Sequence, residues 1–129
     1  MKVLLVDDSK VQRWAIQKNL EIAGFTVITA PDGEQGLRLA LKEAPDVILL
    51  DMLLPKLGGL DVLRLLKQKQ ETKEIPVIVW TGLCEGNEEK LSREGAAGFC
   101  NKSEDAFQRG SAKLIEIIQR ALANTKLNT

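Results

Sequence analysis

Acidic, hydroxyl and basic side chains stand at the ends of the apolar runs of this sequence. Asp7 and Asp8 follow the first run, Asp51 follows the third, Thr81 ends the fourth, and Lys102 follows the fifth. A carboxylate buried without a partner costs several kcal/mol, so Asp51 needs a nearby cation or a polar cleft. Neighbouring carboxylates repel one another, and a divalent cation relieves that repulsion. With a hydroxyl and a lysine to bind phosphate oxygens, the set suits phosphoryl transfer to a carboxylate nucleophile.

Histidine is absent from the 129 residues. Its absence excludes Ser-His-Asp catalysis, a histidine general base and imidazole metal ligands. Any metal has to be held by oxygen atoms, which favours hard cations such as Mg²⁺ or Ca²⁺. The two cysteines, Cys84 and Cys100, match no metal-binding or redox spacing, so we interpret them as thiols without such a role.

The charge balance and the length of the apolar runs exclude other classes of protein. Lys and Arg number 18, as do Asp and Glu, whereas a general nucleic-acid binder needs a basic patch. The longest apolar run is too short to span a membrane, and the start of the chain lacks the apolar length and cleavage site of a signal peptide. We therefore expect one cytoplasmic domain that binds neither a membrane nor a nucleic acid directly.

Apolar runs and helical patterns alternate along the chain, which predicts an α/β fold with a parallel sheet covered by helices on both faces. The first helix is predicted to turn Val11, Ile16 and Leu20 towards the core. The predicted strands are Lys2–Val6, Thr26–Ala30, Val47–Leu50, Pro76–Thr81 and Gly98–Asn101. The predicted helices run from a Ser9 cap to about Ala23, from an Asp32 cap to before Pro45, from Gly59 to about Gln70, from an Asn87 cap to near Gly95, and from Ser111 to about Ala123.

The order of the strands decides whether the polar residues meet. In open α/β sheets, ligands bind beyond the carboxyl ends of the strands, where the strand order reverses. If the first and third strands are neighbours, Asp7, Asp8 and Asp51 converge at one edge of the sheet. Asp51 then ends a buried strand and faces a polar cleft in which a cation can offset its charge.

Four segments carry a specific resemblance to a known family: LLVDDSKVQR, VILLDMLLPKLGG, IPVIVWTG and GFCNK. Over nearly its whole length the chain resembles a receiver domain of the two-component response regulators. The resemblance implies a doubly wound, flavodoxin-like sheet of five parallel strands in the order 2-1-3-4-5 with five helices. The predicted receiver domain covers residues 1–123, and residues 124–129 form a polar tail that is expected to fray.

The resemblance also implies a role for each matched residue at the acidic end of the site. Asp51 is expected to accept a phosphoryl group from a phosphohistidine on a histidine kinase or phosphotransfer protein. Asp8, Asp51 and the backbone carbonyl of Leu53 are expected to ligate Mg²⁺ directly, and Asp7 mainly through water. The absence of histidine fits this scheme, because the phosphodonor has to be another protein.

A second group of matched residues is expected to read the phosphorylated state. Thr81 and Lys102 are expected to bind the phosphoryl group, and Phe99 matches the switch aromatic whose rotamer follows the threonine. The surface formed by the fourth helix, fifth strand and fifth helix is the expected readout face. It would contact a downstream protein or an effector domain that this sequence does not contain, or form a phosphorylation-dependent dimer.

We therefore predict a phosphorylation-activated signalling switch that is not an enzyme beyond accepting and slowly losing its own phosphoryl group. A Mg²⁺-dependent aspartyl-phosphate hydrolase is one alternative, but it places a second aspartate where this chain has Leu53. A flavin-binding electron carrier needs a phosphate-binding loop after the first strand, where this chain has the acidic DDSK. A non-phosphorylated interaction scaffold is the third alternative, and the intact set of site residues argues against it.

Two departures from the receiver pattern carry further expectations. Ser103 stands where a proline usually follows the lysine, and the stretch SEDAFQRG is longer than usual, so we expect the Lys102–Ser103 peptide bond to be trans. Leu53 and Leu83 flank the mouth of the site, where many receivers carry a polar residue. Neither leucine can hydrogen-bond the water that hydrolyses an acyl phosphate, so we expect a long-lived phosphorylated state.

Overall fold

A computed structural model describes residues 1–54, 57–81, 88–101 and 111–127, with the backbone alone at Thr81, Asn101 and 125–127. Strands and helices alternate throughout these residues, so each parallel strand is reached through a helix. The strands are β1 Lys2–Val6, β2 Thr26–Ala30, β3 Val47–Leu50, β4 Val77–Thr81 and β5 Gly98–Asn101. The helices are α1 Lys10–Ile22, α2 Gly33–Glu43, α3 Gly59–Gln68, α4 Glu88–Arg93 and α5 Ala112–Leu127.

The strands form one parallel sheet in the order β2-β1-β3-β4-β5, which confirms the predicted topology. Val6, the last residue of β1, pairs with Ala30 on one side and with Leu50 on the other. Because the strands are parallel, Asp7 and Asp51 follow paired residues and leave the sheet side by side. The strand order reverses at this point, since β2 and β3 lie on opposite sides of β1.

Both faces of the sheet are buried, which explains the continuous apolar runs. Side chains alternate between the two faces along each strand. Val3 and Leu5 of β1 therefore join one core cluster with Trp80 and residues of α1 and α5. Leu4 and Val6 join the other, with residues of α2, α3 and α4.

The helix starts that were predicted from capping residues are confirmed at α1 and α2. The Ser9 hydroxyl accepts a hydrogen bond from the Gln12 amide at 3.3 Å, and the Asp32 carboxylate accepts one from the Gln35 amide at 2.8 Å. Each cap satisfies an amide that has no partner within the helix. The predicted Asn87 cap lies outside the described residues.

One core prediction on α1 is wrong. Ile16 and Leu20 have no exposed surface, as predicted, but Val11 is 78% exposed. An α-helix turns by about 100° per residue, so the flank that buries Ile16 and Leu20 carries Gln12 rather than Val11. Val11 lies instead on a flank that faces solvent.

Several element bounds differ from the predictions. α4 ends at Arg93 rather than near Gly95, and α5 begins at Ala112 rather than Ser111. β4 begins at Val77 rather than Pro76, and α3 ends at Gln68 rather than near Gln70. α5 continues past Ala123 to Leu127, through most of the segment predicted to fray. Alanine, lysine and leucine are good helix formers, which favours this continuation. None of the helices in the described ranges is both long and apolar enough to cross a bilayer.

Candidate functional site

Three carboxylates meet at the carboxyl ends of β1 and β3. Asp7, Asp8 and Asp51 each offer one oxygen, and these three atoms lie within 4.8 Å of one another. Asp7 and Asp51 have 0% and 2% of their surface exposed, whereas Asp8 is exposed. The juxtaposition predicted from the strand ends is therefore present, with one open side from which a cation can approach.

Hydrogen bonds to Ala30 of β2, to the Ser9 cap and to Arg13 of α1 hold Asp7. Its backbone N–H donates to the Ala30 carbonyl of β2 at 3.1 Å. Its Oδ1 accepts from the Ser9 amide at 2.9 Å, and its own carbonyl accepts from Nη1 of Arg13 at 2.7 Å. The loop between β1 and α1 is thus fixed from the sheet, from the helix cap and from the body of α1.

Backbone groups on both sides hold Asp51. Its N–H donates to the Val6 carbonyl at 3.0 Å, which continues the pairing of β1 and β3 by one residue. Its Oδ1 accepts from the Leu53 amide at 3.0 Å, which turns the chain after the strand. A carboxylate has several lone pairs, so this bond leaves Asp51 able to offer an oxygen to a cation or to an electrophile.

Gly59 brings the first residue of α3 against this turn. Its N–H donates to the Met52 carbonyl at 3.3 Å. A Cβ atom at this position would meet the Asp51 carbonyl oxygen at 2.4 Å and the Met52 Cα at 2.5 Å. Real Cβ atoms do not come that close to backbone atoms, so only glycine fits here without a shift. Gly59 is the last residue of the segment VILLDMLLPKLGG, which resembles the family. The close approach explains why a glycine stands at this position.

The other predicted site residues lie around this cluster or beyond the described part of the chain. Leu53 is 58% exposed, and its backbone carbonyl stays a predicted metal ligand. Phe99 of β5 is half-buried and packs against the second core cluster. Thr81 ends β4, and its side chain is not described. Four predictions fall outside the described residues: those on Lys102, on Leu83, on the Lys102–Ser103 bond and on the segment 103–110.

Two features of α1 near the site were missed by reasoning from the sequence. The first is the contact of Arg13 with the Asp7 carbonyl, because a side chain that bonds a backbone atom across a loop leaves no periodic pattern. The second is an exposed apolar flank: Val11, Trp14 and Ile22 are 78%, 61% and 84% exposed. The Lys18 ammonium lies over the Trp14 ring, 4.5 Å from its centroid. We call Val11, Trp14, Lys18 and Ile22 the α1 stripe.

The response regulator receiver domain family matches residues 3–115 of the chain. The chain belongs to this family. This receiver is therefore a domain of two-component signal transduction, and its family membership supports a switch that phosphorylation activates. The acidic cluster of Asp7, Asp8 and Asp51 is the kind of pocket in which receivers bind Mg²⁺.

Relatives much longer than this chain and relatives of similar length both resemble it. A protein-glutamate methylesterase/protein-glutamine glutaminase of Archaeoglobus fulgidus is 38% identical over a gapped alignment of 134 positions, which covers 99% of this chain and 38% of that protein. Protein PilH of Pseudomonas aeruginosa is 35% identical over 105 residues, which cover 81% of this chain and 87% of PilH. The chain thus spans less than half of the first relative and most of the second.

A solved structure of a receiver domain shares the fold and holds a metal. The receiver domain of the sensor histidine kinase PA1611 from Pseudomonas aeruginosa has a magnesium ion coordinated in its active-site cleft. It superposes with a TM-score of 0.83 and 28% identity, covering 95% of this chain and 97% of that one.

Proposed function

We propose that this receiver accepts a phosphoryl group on Asp51 from a histidine kinase or phosphotransfer protein, and that the phosphorylated form carries a signal. The observation that carries the proposal is the carboxylate cluster at the switch point of the sheet, in which Asp51 lies within 4.8 Å of the oxygens of Asp7 and Asp8. Phosphoryl transfer needs little covalent chemistry from the protein beyond a nucleophile and charges held in position. A fixed carboxylate beside a cation site meets that requirement.

Asp51, rather than either neighbour, matches the acceptor of the receiver family. Asp7 and Asp51 are both buried and each carboxylate accepts one backbone amide, so these two features are common to both. Asp8 is exposed, so water solvates it and the protein fixes its position less. Asp51 is fixed by the pairing of β1 and β3 at the floor of the cleft. In the reaction its oxygen forms a bond to phosphorus, the P–N bond of the phosphohistidine breaks, and the imidazole leaves with that electron pair and takes up a proton.

The donor set fits Mg²⁺. Mg²⁺ prefers carboxylate oxygens, keeps several waters and needs near-octahedral geometry. Asp8, Asp51 and the Leu53 carbonyl would hold it directly, and Asp7 through water; the magnesium in the PA1611 receiver supports this assignment. When bound, the cation offsets the charge of the carboxylates and of the phosphoryl oxygens.

A phosphohistidine donor has to lie outside these 129 residues, because they contain no histidine. We propose that it docks on the α1 stripe. α1 begins at Lys10, and its Ser9 cap directly follows the acidic pair. A protein that covers Val11 and Trp14 would therefore also lie next to the carboxylate cluster. Tryptophan is enriched in binding hot spots, because it offers a large apolar area with little loss of conformational freedom on binding.

The readout is proposed to run through β4 and β5. The backbones of these strands pair Val79 with Phe99 and Thr81 with Asn101, so a change at Thr81 has a short path to Phe99. Thr81 and Lys102 would bind the phosphoryl group, and Phe99 would respond. A groove of about 240 Å³ lies beside Phe99, lined also by Ile117 and Arg120 of α5. We propose this groove as part of the face that contacts a target protein, an effector domain or a second phosphorylated copy.

The proposal makes the receiver a regulatory unit rather than an enzyme. The methylesterase and glutaminase activities named for the Archaeoglobus relative belong to that protein, of which this chain matches 38%. PilH, which the chain covers to 87%, supports an arrangement in which a receiver fills most of a protein. In either arrangement Asp51 is the proposed acceptor, so the central test is common to them.

The test is direct labelling of the receiver with acetyl phosphate and Mg²⁺, followed by intact mass. Wild type should gain one phosphoryl group, and Asp51→Asn should gain none, because the amide is not a nucleophile for phosphorus. Asp61→Asn is the matched control, since Asp61 is an exposed aspartate in the first turn of α3. Equal labelling of wild type and Asp51→Asn would refute the acceptor, and no labelling of either would favour the interaction scaffold.

A further inference from the structure

We infer that Arg13 is a positioning residue for the metal site, an inference that rests on the proposed function. Arg13 is half-buried on α1, and its Nη1 donates to the backbone carbonyl of Asp7 at 2.7 Å. Hydrogen bonds from a guanidinium are short and about twice as strong as neutral ones. The carbonyl that accepts this bond belongs to the peptide group that joins the two acidic residues.

The position of that peptide group decides where the Asp8 carboxylate lies. A peptide unit is planar, so fixing the Asp7 carbonyl oxygen also fixes the direction in which the chain continues to the Cα of Asp8. Asp7 itself is already held by Ala30 and Ser9. Asp8 is exposed. The Arg13 bond orients the peptide group on its N-terminal side, and the bond from the Ser9 amide to Asp7 orients the peptide group on its C-terminal side. Losing the Arg13 bond should therefore move Asp8 more than Asp7.

Electrostatics alone predicts the opposite effect of removing Arg13. Its guanidinium is always positively charged and contacts the loop that carries Asp7 and Asp8, so it repels an approaching cation. If charge were the whole contribution, Arg13→Gln would bind Mg²⁺ more tightly than wild type. If positioning dominates, the same variant binds Mg²⁺ more weakly. The sign of the change separates the two explanations.

A second readout separates positioning from a loss of overall stability. Mg²⁺ demands near-ideal octahedral ligands at about 2.0–2.1 Å, whereas Ca²⁺ accepts longer and more irregular coordination. A displaced carboxylate should therefore weaken Mg²⁺ more than Ca²⁺. A variant that is merely less stable should weaken the binding of both ions by the same factor.

The experiment is a titration of ¹⁵N-labelled receiver with MgCl₂ and, separately, with CaCl₂, followed through amide chemical shifts. Outer groups that orient metal ligands are typically worth about 10–100-fold in metal affinity, so we expect Arg13→Gln to raise the Mg²⁺ Kd about tenfold and the Ca²⁺ Kd less. Arg13→Lys keeps a charged donor and should recover part of the affinity. Lys10→Gln is the matched control: it removes the same charge from an exposed residue of the same turn and should not weaken binding.

Each outcome of the titration leads to one conclusion about Arg13. An Arg13→Gln receiver that binds Mg²⁺ as tightly as wild type, or more tightly, would overturn the inference, as would equal weakening of both ions. Wild type that binds no Mg²⁺ would instead refute the metal site of the proposed function, and the inference with it. If Arg13→Gln does not fold, the ratio of Mg²⁺ to Ca²⁺ affinity in Arg13→Lys decides: a lower ratio than wild type supports positioning, and an unchanged ratio overturns it.

Discussion

Gly59 lies so close to the carbonyl oxygen of Asp51 that a Cβ atom would stand 2.4 Å from it. We expect Gly59→Ala to push the start of α3 away from the turn that carries Asp51. A misplacement of about 1 Å can cost up to about a hundredfold in rate, so labelling by acetyl phosphate should slow by about tenfold or more. The free energy of unfolding should fall by about 1–3 kcal/mol, as for other overpacked sites. Intact mass against time and urea unfolding measure the two effects.

Gly58→Ala is the matched control for this variant. Gly58 has a negative φ of −66°, and among the described residues the nearest atom to its Cβ position is the Asp61 carboxylate at 4.0 Å. An alanine therefore fits, and stability should change by less than about 1 kcal/mol. Similar losses of labelling in the two variants would show that the close contact at Gly59 is not what positions the turn.

Trp14 should matter for transfer from a protein donor and not for transfer from a small molecule. We expect Trp14→Ala to lower kcat/KM about tenfold or more with a purified, phosphorylated histidine phosphotransfer domain, the range expected for a tryptophan hot spot. Labelling by acetyl phosphate should be unchanged, because Trp14 is not part of the carboxylate cluster. Leu41→Ala is the control, since Leu41 is a 40% exposed apolar residue on α2. Equal losses from Trp14→Ala and Leu41→Ala would count against docking on α1.

Leu53 should lengthen the life of the phosphorylated state. Its side chain is 58% exposed at the turn after Asp51, and it cannot hydrogen-bond the attacking water. We expect Leu53→Asn to speed the loss of the phosphoryl group about tenfold, which corresponds to about 1.4 kcal/mol in the barrier. The measurement follows the intact mass after the donor is removed, with Leu53→Met as an apolar control and Leu83→Glu as a variant at the second position predicted to flank the site. Decay at the wild-type rate in both polar variants would show that the leucines do not set the lifetime.

Arg64 of α3 forms an ion pair with Glu94, which directly follows α4. We expect the stability that this ion pair contributes to depend on pH in the acid range. The two side chains form two hydrogen bonds, of 2.9 and 3.1 Å. The hydrogen bond from Arg64 holds the pKa of the Glu94 carboxyl below its ordinary value of 4.5. A lowered pKa in the folded state stabilises the protein above the ordinary pKa, and this stabilisation is lost as pH falls through the folded-state pKa.

Glu94→Gln should therefore lower Tm near neutral pH and have little effect in acid. The effect should be small, since Arg64 and Glu94 are 45% and 28% exposed and water screens the pair. Glu116→Gln is the control, because Glu116 pairs with Arg120 within α5 alone at greater exposure. The expectation fails if the Tm difference between wild type and Glu94→Gln is the same at about pH 7 and at about pH 3.

The strands were predictable because each is an apolar run buried on both faces, and four of the five have the predicted bounds. It was harder to predict which flank of a helix faces the core. The pattern on α1 placed Val11 with Ile16 and Leu20, but which flank meets the sheet depends on how the helix docks. At α5 the polar residues after Ala123 signalled an end, whereas helix propensity carries the helix to Leu127.

The carboxylate cluster was predictable because its members follow strands that the topology makes neighbours. The contacts that hold it were not. Arg13 reaches a backbone carbonyl across a loop, and Gly59 meets the Asp51 carbonyl through an approach of two elements. Both depend on the packed distance between a helix and a loop, and residue type and spacing do not encode that distance.

The fluorescence of the two tryptophans reports on two different regions of this receiver. The chain has no tyrosine, so nearly all of its near-ultraviolet emission comes from Trp80, with no exposed surface, and Trp14, which is 61% exposed. An indole in an apolar core emits at shorter wavelength than one in water. The blue side of the emission band therefore reports whether the core is closed, and the red side reports whether something covers α1. Binding of a partner and unfolding can thus be followed separately, at two emission wavelengths, in one unlabelled sample.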